Sequence, residues 1–421
     1  MTGQTGEMGM EFLWPYESHV LNAICYASGV YIVYWVWSVY VHAYDRYVVL
    51  SQVNDAVMAP GRWGRRWKGK KVWVVVNPAS GGGMGADLYD GIVTPVLAMA
   101  GVDALVSISS APGEVLGLIK EDNVDVSSLA AVLVCGGDGT FHEVLNALHQ
   151  EDQAILSSLP LMVLPMGTSN GLARSNGDSD ILPALLRLLD QDPQELDVWD
   201  VEVIPFAPDS PPVTRVDAFM LSWALVALHD EYQERKFRWM GPSAASLLAP
   251  LVAITSLPTF DGIITFLPCP EANAQAQEAG WDYYGDPEAL SSLPAPAWFA
   301  ERHPERAHLP WRAVPTPIIL CSAVNSPWIA SDVTMSPGAD MADGALDLCL
   351  LGPGSSRWNA LNIFRAMETG SQVDYPHTSF YKASALHIVP AADSAMSVSG
   401  EKVECGEVRV VVRGGGGWMI R

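Results

Sequence analysis

Short apolar runs that stop at a glycine or a turn alternate with mixed polar segments through residues 71–190. Runs that are apolar at every position are typical of strands buried on both faces, as in a parallel sheet covered by helices. The alternation predicts a doubly wound α/β domain whose ligand crevice lies at the carboxyl ends of its strands. The predicted strands are 71–77, 106–109, 129–135 and 161–165, and the predicted helices are 86–100, 113–120, 141–150 and 181–190.

After Glu195 the pattern changes to strands separated by turns, which predicts a second, mainly antiparallel domain. Residues 268–316 interrupt it; they are rich in Pro, Ala and Glu and predict a long surface insertion, poorly ordered in part. The predicted organisation is an extension (1–69), an α/β domain (70–195) and a β domain (196–421). Strand-rich segments are predicted at 196–206, 214–228, 317–324, 345–351, 385–390 and 408–412.

The N-terminal extension contains a segment, residues 18–44, without Asp, Glu, Lys or Arg. That length could span a bilayer, but β-branched and aromatic residues dominate and favour strands. A β-hairpin, a membrane-inserted or interfacial segment and an unstructured lead-in all stay open. The most basic stretch, Arg62–Lys71, is either a solvated linker or a small contact for lipid headgroups or nucleotide phosphate.

Composition narrows the classes of function. The chain has 421 residues with 17% charged, and 24 basic against 47 acidic residues give a net charge of −23. This composition excludes a coiled coil and global disorder. The excess of acidic residues disfavours nucleic-acid binding and docking on anionic lipid through a basic patch. A cationic amphiphile remains compatible. Six scattered cysteines without a CxxC pair, and a first segment without a basic region, predict reduced, buried thiols in an intracellular protein.

Three loops at predicted strand ends carry the candidate chemistry: residues 77–85 (NPASGGGMG), 136–140 (GGDGT) and 165–174 (PMGTSNGLAR). Glycines let backbone amides approach a phosphate, and a helix that follows favours negative charge. None is a Walker A or GxGxxG loop. A single glycine loop is usually only a tight turn, but three in one sheet indicate a nucleotide site. Asp138 has little packing value between glycines and suits a group that accepts a hydroxyl proton or helps to hold Mg²⁺.

These three loops, with Glu143 on the helix after GGDGT, resemble the diacylglycerol kinase catalytic-domain superfamily of lipid kinases. Four later segments look like sphingosine (sphingoid long-chain base) kinases, and the resemblance covers residues 71–412. Those segments are LSWALVALHDEYQERKFRWMG, ADGALDLCLL, NIFRAMETG and VSGEKVE.

The resemblance implies a Rossmann-like, phosphofructokinase-like nucleotide domain followed by an antiparallel β-sandwich lipid-binding domain, with ATP in the cleft between them. Asp138 would be the general base on the lipid hydroxyl, Asp230 would pair with an ammonium group, and Asp343 would belong to a Mg²⁺-linked carboxylate network. Gly136, Gly137 and Gly139 would lie beside the hydroxyl. The implied ATP-binding residues are Asn77, Pro78, Ala79, Ser109, Gly113, Gly136, Glu143, Arg238, Ser399, Gly400 and Glu401.

Some of these roles have ordinary alternatives. Asp230 follows the apolar run 219–228, an arrangement that suits a substrate with one cation and one alkyl chain, but a solvated Asp at a strand end looks the same, and Glu231 competes for the role. Arg238 also fits an exposed helix arginine, and Asp343 an Asp-Gly hairpin turn. Ser399 stands where the family usually has Asp, and Met84 where a basic residue is common, which puts the affinity for ATP in question.

The leading hypothesis is phosphorylation of the primary hydroxyl of a sphingoid base by ATP and Mg²⁺. Diacylglycerol or ceramide is the alternative acceptor, and a catalytically weak lipid-binding homologue is the third hypothesis. We expect a lipid substrate, transient membrane contact, no nucleic acid, and a cytoplasmic location peripheral to an intracellular or plasma membrane. The oligomeric state stays open.

Overall fold

A computed structural model describes residues 66–232, 255 and 257–421 of the chain. The predictions for residues 18–44, for the first part of the basic stretch and for Arg238 lie outside this range. The described residues belong to one compact unit, Pro60–Arg421.

Four parallel strands form the first part of the sheet, in the order β2-β1-β3-β4. Every residue of β3 is buried, and β1 is buried after its first residue, because helices cover both faces. The edge strand β2 is largely exposed. The strands are β1 (Lys71–Val76), β2 (Asp103–Ile108), β3 (Ala131–Gly136) and β4 (Pro160–Pro165).

The helices of this part connect the strands at the crossovers. The predicted helix over 86–100 is several short segments, including a π-helical turn at Tyr89–Val93. The helix after β3 begins at Asp138 itself rather than at residue 141. The helices are α1 (Ser80–Gly83), α2 (Gly85–Leu88), α3 (Thr94–Met99), α4 (Val115–Glu121), α5 (Asp138–Glu151), α6 (Gly171–Ser175) and α7 (Ile181–Asp190), with 3₁₀ turns at Val126–Ser128 and Ile155–Ser157.

The second part is antiparallel and continues the same hydrogen-bonded sheet. Its path runs β17-β16-β7-β11-β14-β15-β18, and β18 then pairs in parallel with β4 through Trp418 and Met419. The strands are β5 (Gln194–Pro205), β6 (Val213–Asp217), β7 (Met220–Ala224), β8 (Gly262–Pro268), β9 (Ser291–Leu293), β10 (Trp311–Val314), β11 (Leu320–Val324), β12 (Trp328–Ala330), β13 (Val333–Thr334), β14 (Leu346–Leu351), β15 (Thr378–Pro390), β16 (Met396–Val398), β17 (Glu401–Val403) and β18 (Gly406–Met419).

The core of the antiparallel part consists of inward-facing apolar residues from these strands, among them the fully buried Trp199, Trp223 and Phe266. Each fully buried side chain of this kind contributes roughly 2–3 kcal/mol of transfer free energy. The described helices here are α8 (Leu225–Tyr232), α9 (Pro270–Glu278), α10 (Ala297–Arg302) and α11 (Arg357–Ala366), with 3₁₀ turns at Pro287–Ala289 and Ser371–Asp374.

The expectation of a poorly ordered insertion at 268–316 is wrong. The segment contains α9, α10, β9 and β10, and β10 pairs with β8 in the sheet. Trp298, Phe299 and Trp311 are buried together with mutual ring contacts, so three aromatic side chains anchor a segment whose overall composition is polar and proline-rich.

A second correction concerns the segment 214–228. Its strands end at Ala224, which has a φ of 75°, and the apolar residues that follow form α8. Asp230 therefore lies on a helix, not at the end of a strand. The broader expectation, a parallel α/β part followed by an antiparallel β-sandwich, is confirmed.

Two findings bear on the composition-based expectations. All five cysteines in the described ranges are free; Cys135, Cys321 and Cys349 are buried, as expected, while Cys269 and Cys405 are partly exposed. No helix in the ranges 66–232 and 257–421 has the length and apolar character needed to cross a bilayer.

Candidate active site

The loops after β3 and β4 pack backbone against backbone. A Cβ added at Gly137 would lie 3.0 Å from Gly167 Cα, and one added at Gly167 would clash with Gly137. At the neighbouring Gly136, a Cβ would lie 2.6 Å from Thr140 Oγ1. A side chain at any of these three positions would clash with its neighbours, so the close packing requires glycine there. This packing brings two of the predicted glycine loops into one cluster.

Asp138 is the first residue of α5 and is buried. Its Oδ2 accepts a hydrogen bond from the Gly171 amide and its Oδ1 one from the Leu172 amide, both at 2.9 Å. Burial raises the pKa of Asp138, and these two amide donors act in the opposite direction. The carboxylate is thus oriented by the first turn of α6, and Gly139 beside it has open space at its Cβ position.

Gly171, whose amide orients Asp138, also packs closely against the antiparallel part. A Cβ at Gly171 would lie 2.7 Å from the carbonyl carbon of Ile329 and 2.7 Å from Phe219 Cζ. Asn170, with a φ of 55°, precedes it and bridges to Ala330. The Asp138 carboxylate therefore lies where the parallel and antiparallel parts meet.

The first glycine loop lies at the adjacent strand end. Asn77 Nδ2 donates to Thr140 Oγ1 at 3.1 Å, and its Oδ1 accepts from the Ala79 amide at 3.0 Å across Pro78. The Asn77 carbonyl accepts from Ser80 Oγ at 2.7 Å. Asn77 thereby links the β1 loop to the first turn of α5.

Glu143 lies one turn further along α5 and points toward the loop after β2. Burial raises its pKa; a hydrogen bond from the Gly113 amide opposes this, and the charge of Glu401 adds to it. Glu143 Oε2 is buried with no hydrogen-bond partner in the described part of the chain. Ser109, at the start of the same loop, is buried and its hydroxyl donates to the Ala111 carbonyl at 3.4 Å.

The turn Ser399–Gly400 connects β16 to β17 and brings Glu401 to the same place. Ser399 Oγ donates to Asp217 Oδ1 at 2.7 Å, and Glu401 Oε2 lies 3.7 Å from Arg215 Nη1. Arg215 and Asp217 both belong to β6. Predicted site residues from distant parts of the sequence thus meet at α5.

Asp230 lies on α8, with its side chain 29% exposed. Its Oδ1 is 3.2 Å from His229 Nδ1, and its Oδ2 accepts from Ser397 Oγ at 3.4 Å. Asp230, Ser397 and Gly400 line the same small cavity. The competing residue Glu231 instead contacts Lys402 Nζ at 3.0 Å.

Asp343 lies in a different cluster. Its Oδ2 is 2.6 Å from the fully buried Lys382 ammonium, which also contacts Asp347 Oδ1 at 2.6 Å. Its Oδ1 accepts from the Ala345 amide at 3.0 Å. Burial raises the pKa of Asp343 to about 6, with the Lys382 charge acting in the opposite direction. A lysine ammonium is thus the cation that neighbours Asp343.

Four residues of the site were missed from the sequence: Thr140, His142, Arg215 and Asp217. His142 Nδ1 lies 3.5 Å from Asp217 Oδ1, and both side chains are buried. Little in the sequence pointed to these residues. The one unusual feature is that Asp217, an acidic residue, stands directly before an apolar run. Within the ranges 66–232 and 257–421, no group of three or more His, Cys, Asp and Glu is arranged to hold a metal ion.

Family comparison assigns the two parts separately. Residues 71–201 match the diacylglycerol kinase catalytic domain, and residues 312–415 match the YegS C-terminal NAD kinase beta sandwich-like domain. The first match thus covers the parallel part with its three glycine loops, and the second covers much of the antiparallel part. A crystal structure of a Bacillus anthracis str. Sterne protein, provisionally assigned as a diacylglycerol kinase, has the same fold: TM-score 0.57 and 17% identity, covering 86% of this chain and 97% of that one.

Over most of its length the chain is similar to sphingosine kinases. Sphingosine kinase 1 of Arabidopsis thaliana is 27% identical over 77% of this chain, and the match covers 65% of that protein's length, just under two thirds. Sphingosine kinase 1 of Homo sapiens is 24% identical over 83% of this chain and 90% of its own. Ceramide kinase of Mus musculus also matches, with 23% identity over 76% of this chain and 62% of its own.

Proposed function

We propose that the protein is an ATP-dependent lipid kinase that phosphorylates the primary hydroxyl of a sphingoid long-chain base. The observation that carries the proposal is the Asp138 carboxylate, held by two amides at the junction of three glycine loops. The similarity to sphingosine kinases supports the substrate class.

In this reaction Asp138 orients the acceptor hydroxyl and takes its proton as the oxygen attacks the γ-phosphorus of ATP. The bond from the γ-phosphorus to the bridging oxygen breaks, and ADP leaves with that oxygen. Phosphoryl transfer depends mainly on positioning and on stabilising charge at the transferred group. Gly171 and Leu172 keep the carboxylate in one orientation, and the glycine-loop amides near Asn77 and Gly137 are suited to phosphate oxygens.

The residues present also fit a divalent cation. Glu143 and Glu401 are close enough that their charges oppose each other, and Glu143 Oε2 lacks a partner within the described ranges, so a cation beside them would relieve the repulsion. Mg²⁺ prefers such oxygen ligands together with nucleotide phosphates, and it would neutralise charge on the phosphates of ATP. Arg215, next to Glu401, adds a fixed positive charge.

Asp230 is the proposed partner of the substrate ammonium. It has no lysine or arginine contact within hydrogen-bonding range in the described residues, whereas Glu231 is occupied by Lys402. The apolar residues Leu225, Val226 and Ala227 precede it on α8 and are buried. A carboxylate that follows a run of apolar residues on a helix suits a molecule with one cation and one long alkyl chain.

The test is a lipid kinase assay with ATP and Mg²⁺ against sphingosine, phytosphingosine, ceramide and diacylglycerol, with resolved lipid products. We expect product from the free bases, and we expect Asp138→Asn to reduce turnover at least a thousandfold while thermal unfolding stays cooperative. Retained turnover in Asp138→Asn would exclude it as the base. Absence of product from every lipid would contradict the kinase assignment.

A matched pair of variants distinguishes free bases from neutral lipids. Asp230→Asn removes the proposed ion pair, and loss of a hydrogen bond to a charged group should raise the KM for sphingosine about tenfold to a hundredfold. Glu231→Gln is the matched control, expected to change that KM little. Product from ceramide or diacylglycerol, with no effect of Asp230→Asn, would favour a neutral acceptor instead.

A further inference from the structure

Asp217 ends β6 and is one of the most deeply buried acids in the described ranges, with 1% of its surface exposed. Its Oδ1 accepts three hydrogen bonds: from the amides of Ala218 at 2.7 Å and Phe219 at 3.0 Å, and from Ser399 Oγ at 2.7 Å. Its Oδ2 is buried without a partner in the described part. A buried carboxylate is costly unless it is well paired, so this arrangement calls for a functional explanation.

The second contact of Asp217 is with the helix that begins at Asp138. His142 lies four residues after Asp138, on the same face of α5, and its Nδ1 is 3.5 Å from Asp217 Oδ1. One turn further, Asn146 exchanges two hydrogen bonds with the Val216 backbone, at 2.9 and 3.0 Å. The end of β6 is therefore fixed to α5.

The third contact is with the turn that precedes Glu401. Val398 pairs with Glu401, so Ser399 and Gly400 form a two-residue hairpin loop, and both have positive φ, 50° and 77°. Such loops favour Asn-Gly and Asp-Gly, because Asn and Asp tolerate the left-handed region better than Ser does. The Ser399 amide donates to the Met220 carbonyl at 2.7 Å, and the Ser399 hydroxyl donates to Asp217.

Residues 215 and 217 lie on the same face of β6, because side chains alternate along a strand. Arg215 faces Glu401 and Asp217 faces Ser399, so the two strand residues contact the first residue of the turn and the residue that directly follows the turn. A carboxylate at 399 would satisfy the turn preference, yet it would place two acids in one buried hydrogen bond. The Ser399 hydroxyl, in contrast, can donate a hydrogen bond to the buried carboxylate of Asp217.

We propose that Asp217 is a positioning residue of the nucleotide site: through Ser399 it fixes the Ser399–Gly400 turn against α5 and so sets Glu401 beside Glu143. The inference rests on the proposed function only in naming the nucleotide as the ligand. It implies that one of the positions 217 and 399 must be acidic and that the two cannot both be acidic.

The experiment compares full-length variants by the Kd of the non-hydrolysable analogue AMP-PNP with Mg²⁺ and by thermal unfolding. Ser399→Asp and Ser399→Asn are nearly isosteric and both suit the turn, but only the amide can donate to Asp217. We expect Ser399→Asp to bind AMP-PNP at least tenfold more weakly than Ser399→Asn, in line with a charge-assisted hydrogen bond.

The exchange variant Asp217→Ser/Ser399→Asp restores one acid and one hydroxyl in reversed order. It should bind AMP-PNP at least tenfold more tightly than Ser399→Asp, and Asp217→Ser alone should also bind weakly. Asp178→Asn is the matched control: Asp178 is equally buried and pairs with Arg187, so this change should lower the unfolding temperature without changing the Kd.

Equal affinity of Ser399→Asp and Ser399→Asn, or no recovery in the exchange variant, overturns the inference. If Ser399→Asp fails to fold while the exchange variant folds, the coupling is supported. If the wild type does not bind AMP-PNP, the proposed function fails, and the unfolding temperatures of the same variants still report whether Asp217 and Ser399 are coupled.

Discussion

Replacing Gly171 with Ala tests the contact that orients Asp138. The added Cβ would lie 2.7 and 2.8 Å from the backbone C and O of Ile329 and 2.7 Å from Phe219 Cζ, well inside normal carbon contact distances. Backbone atoms cannot rotate away, so α6 must shift. Overpacking of this kind typically costs about 1–3 kcal/mol of unfolding free energy.

The same shift lengthens the hydrogen bond from the Gly171 amide to Asp138 Oδ2, now 2.9 Å. Because misplacement of a catalytic group by about 1 Å can reduce turnover a hundredfold, we expect kcat to fall at least tenfold. The assay combines chemical denaturation with steady-state lipid phosphorylation.

Gly117→Ala is the control, since Gly117 is inside α4 and its Cβ would meet only Glu121 Oε1, at 3.9 Å. That change should raise the unfolding free energy by about 0.5–1 kcal/mol and leave kcat unchanged. If Gly171→Ala is as stable and as active as the wild type, then α6 does not hold Asp138 in the way described.

Two further predictions follow from the titratable groups. Burial raises the pKa of Asp138 above the ordinary value for Asp, about 4, and a general base must be ionised to act. We therefore expect kcat to fall as the pH decreases through a value above about 4. A pH–kcat profile without such an acid limb would contradict the assignment. Lys382→Met leaves Asp343 and Asp347 buried without their cation, and it should lower the unfolding free energy by about 3–5 kcal/mol in chemical denaturation. The control Arg302→Met removes an exposed partner of Glu202 and should lower it by about 1 kcal/mol or less. Similar losses of unfolding free energy in both variants would refute the buried-pair argument.

The parallel part of the fold was predictable because β1, β3 and β4 are almost wholly apolar and each is followed by a glycine-containing loop. Asp138 could be singled out from the sequence as well, since an acid between glycines has no evident packing role. Its hydrogen-bond partners were not, because Gly171 and Leu172 come 33 and 34 residues later and contribute only backbone amides.

Asp217 was not predictable for a related reason: its partners His142 and Ser399 lie 75 and 182 residues away, and an acid at a strand end is ordinarily solvated. The segment 268–316 was mispredicted because its polar and proline-rich average hides Trp298, Phe299 and Trp311. In both cases long-range packing overrides what the local pattern indicates.

The strand β18 pairs with β5 and β15 of the antiparallel part and, through Trp418 and Met419, with β4 of the parallel part. During synthesis the β4 edge next to the glycine loops stays uncovered until residues 418 and 419, which follow it far along the chain, have left the ribosome. The parallel part therefore cannot complete its sheet before β18 is made, and an intermediate with an open strand edge is where chaperone engagement or misassembly would be expected.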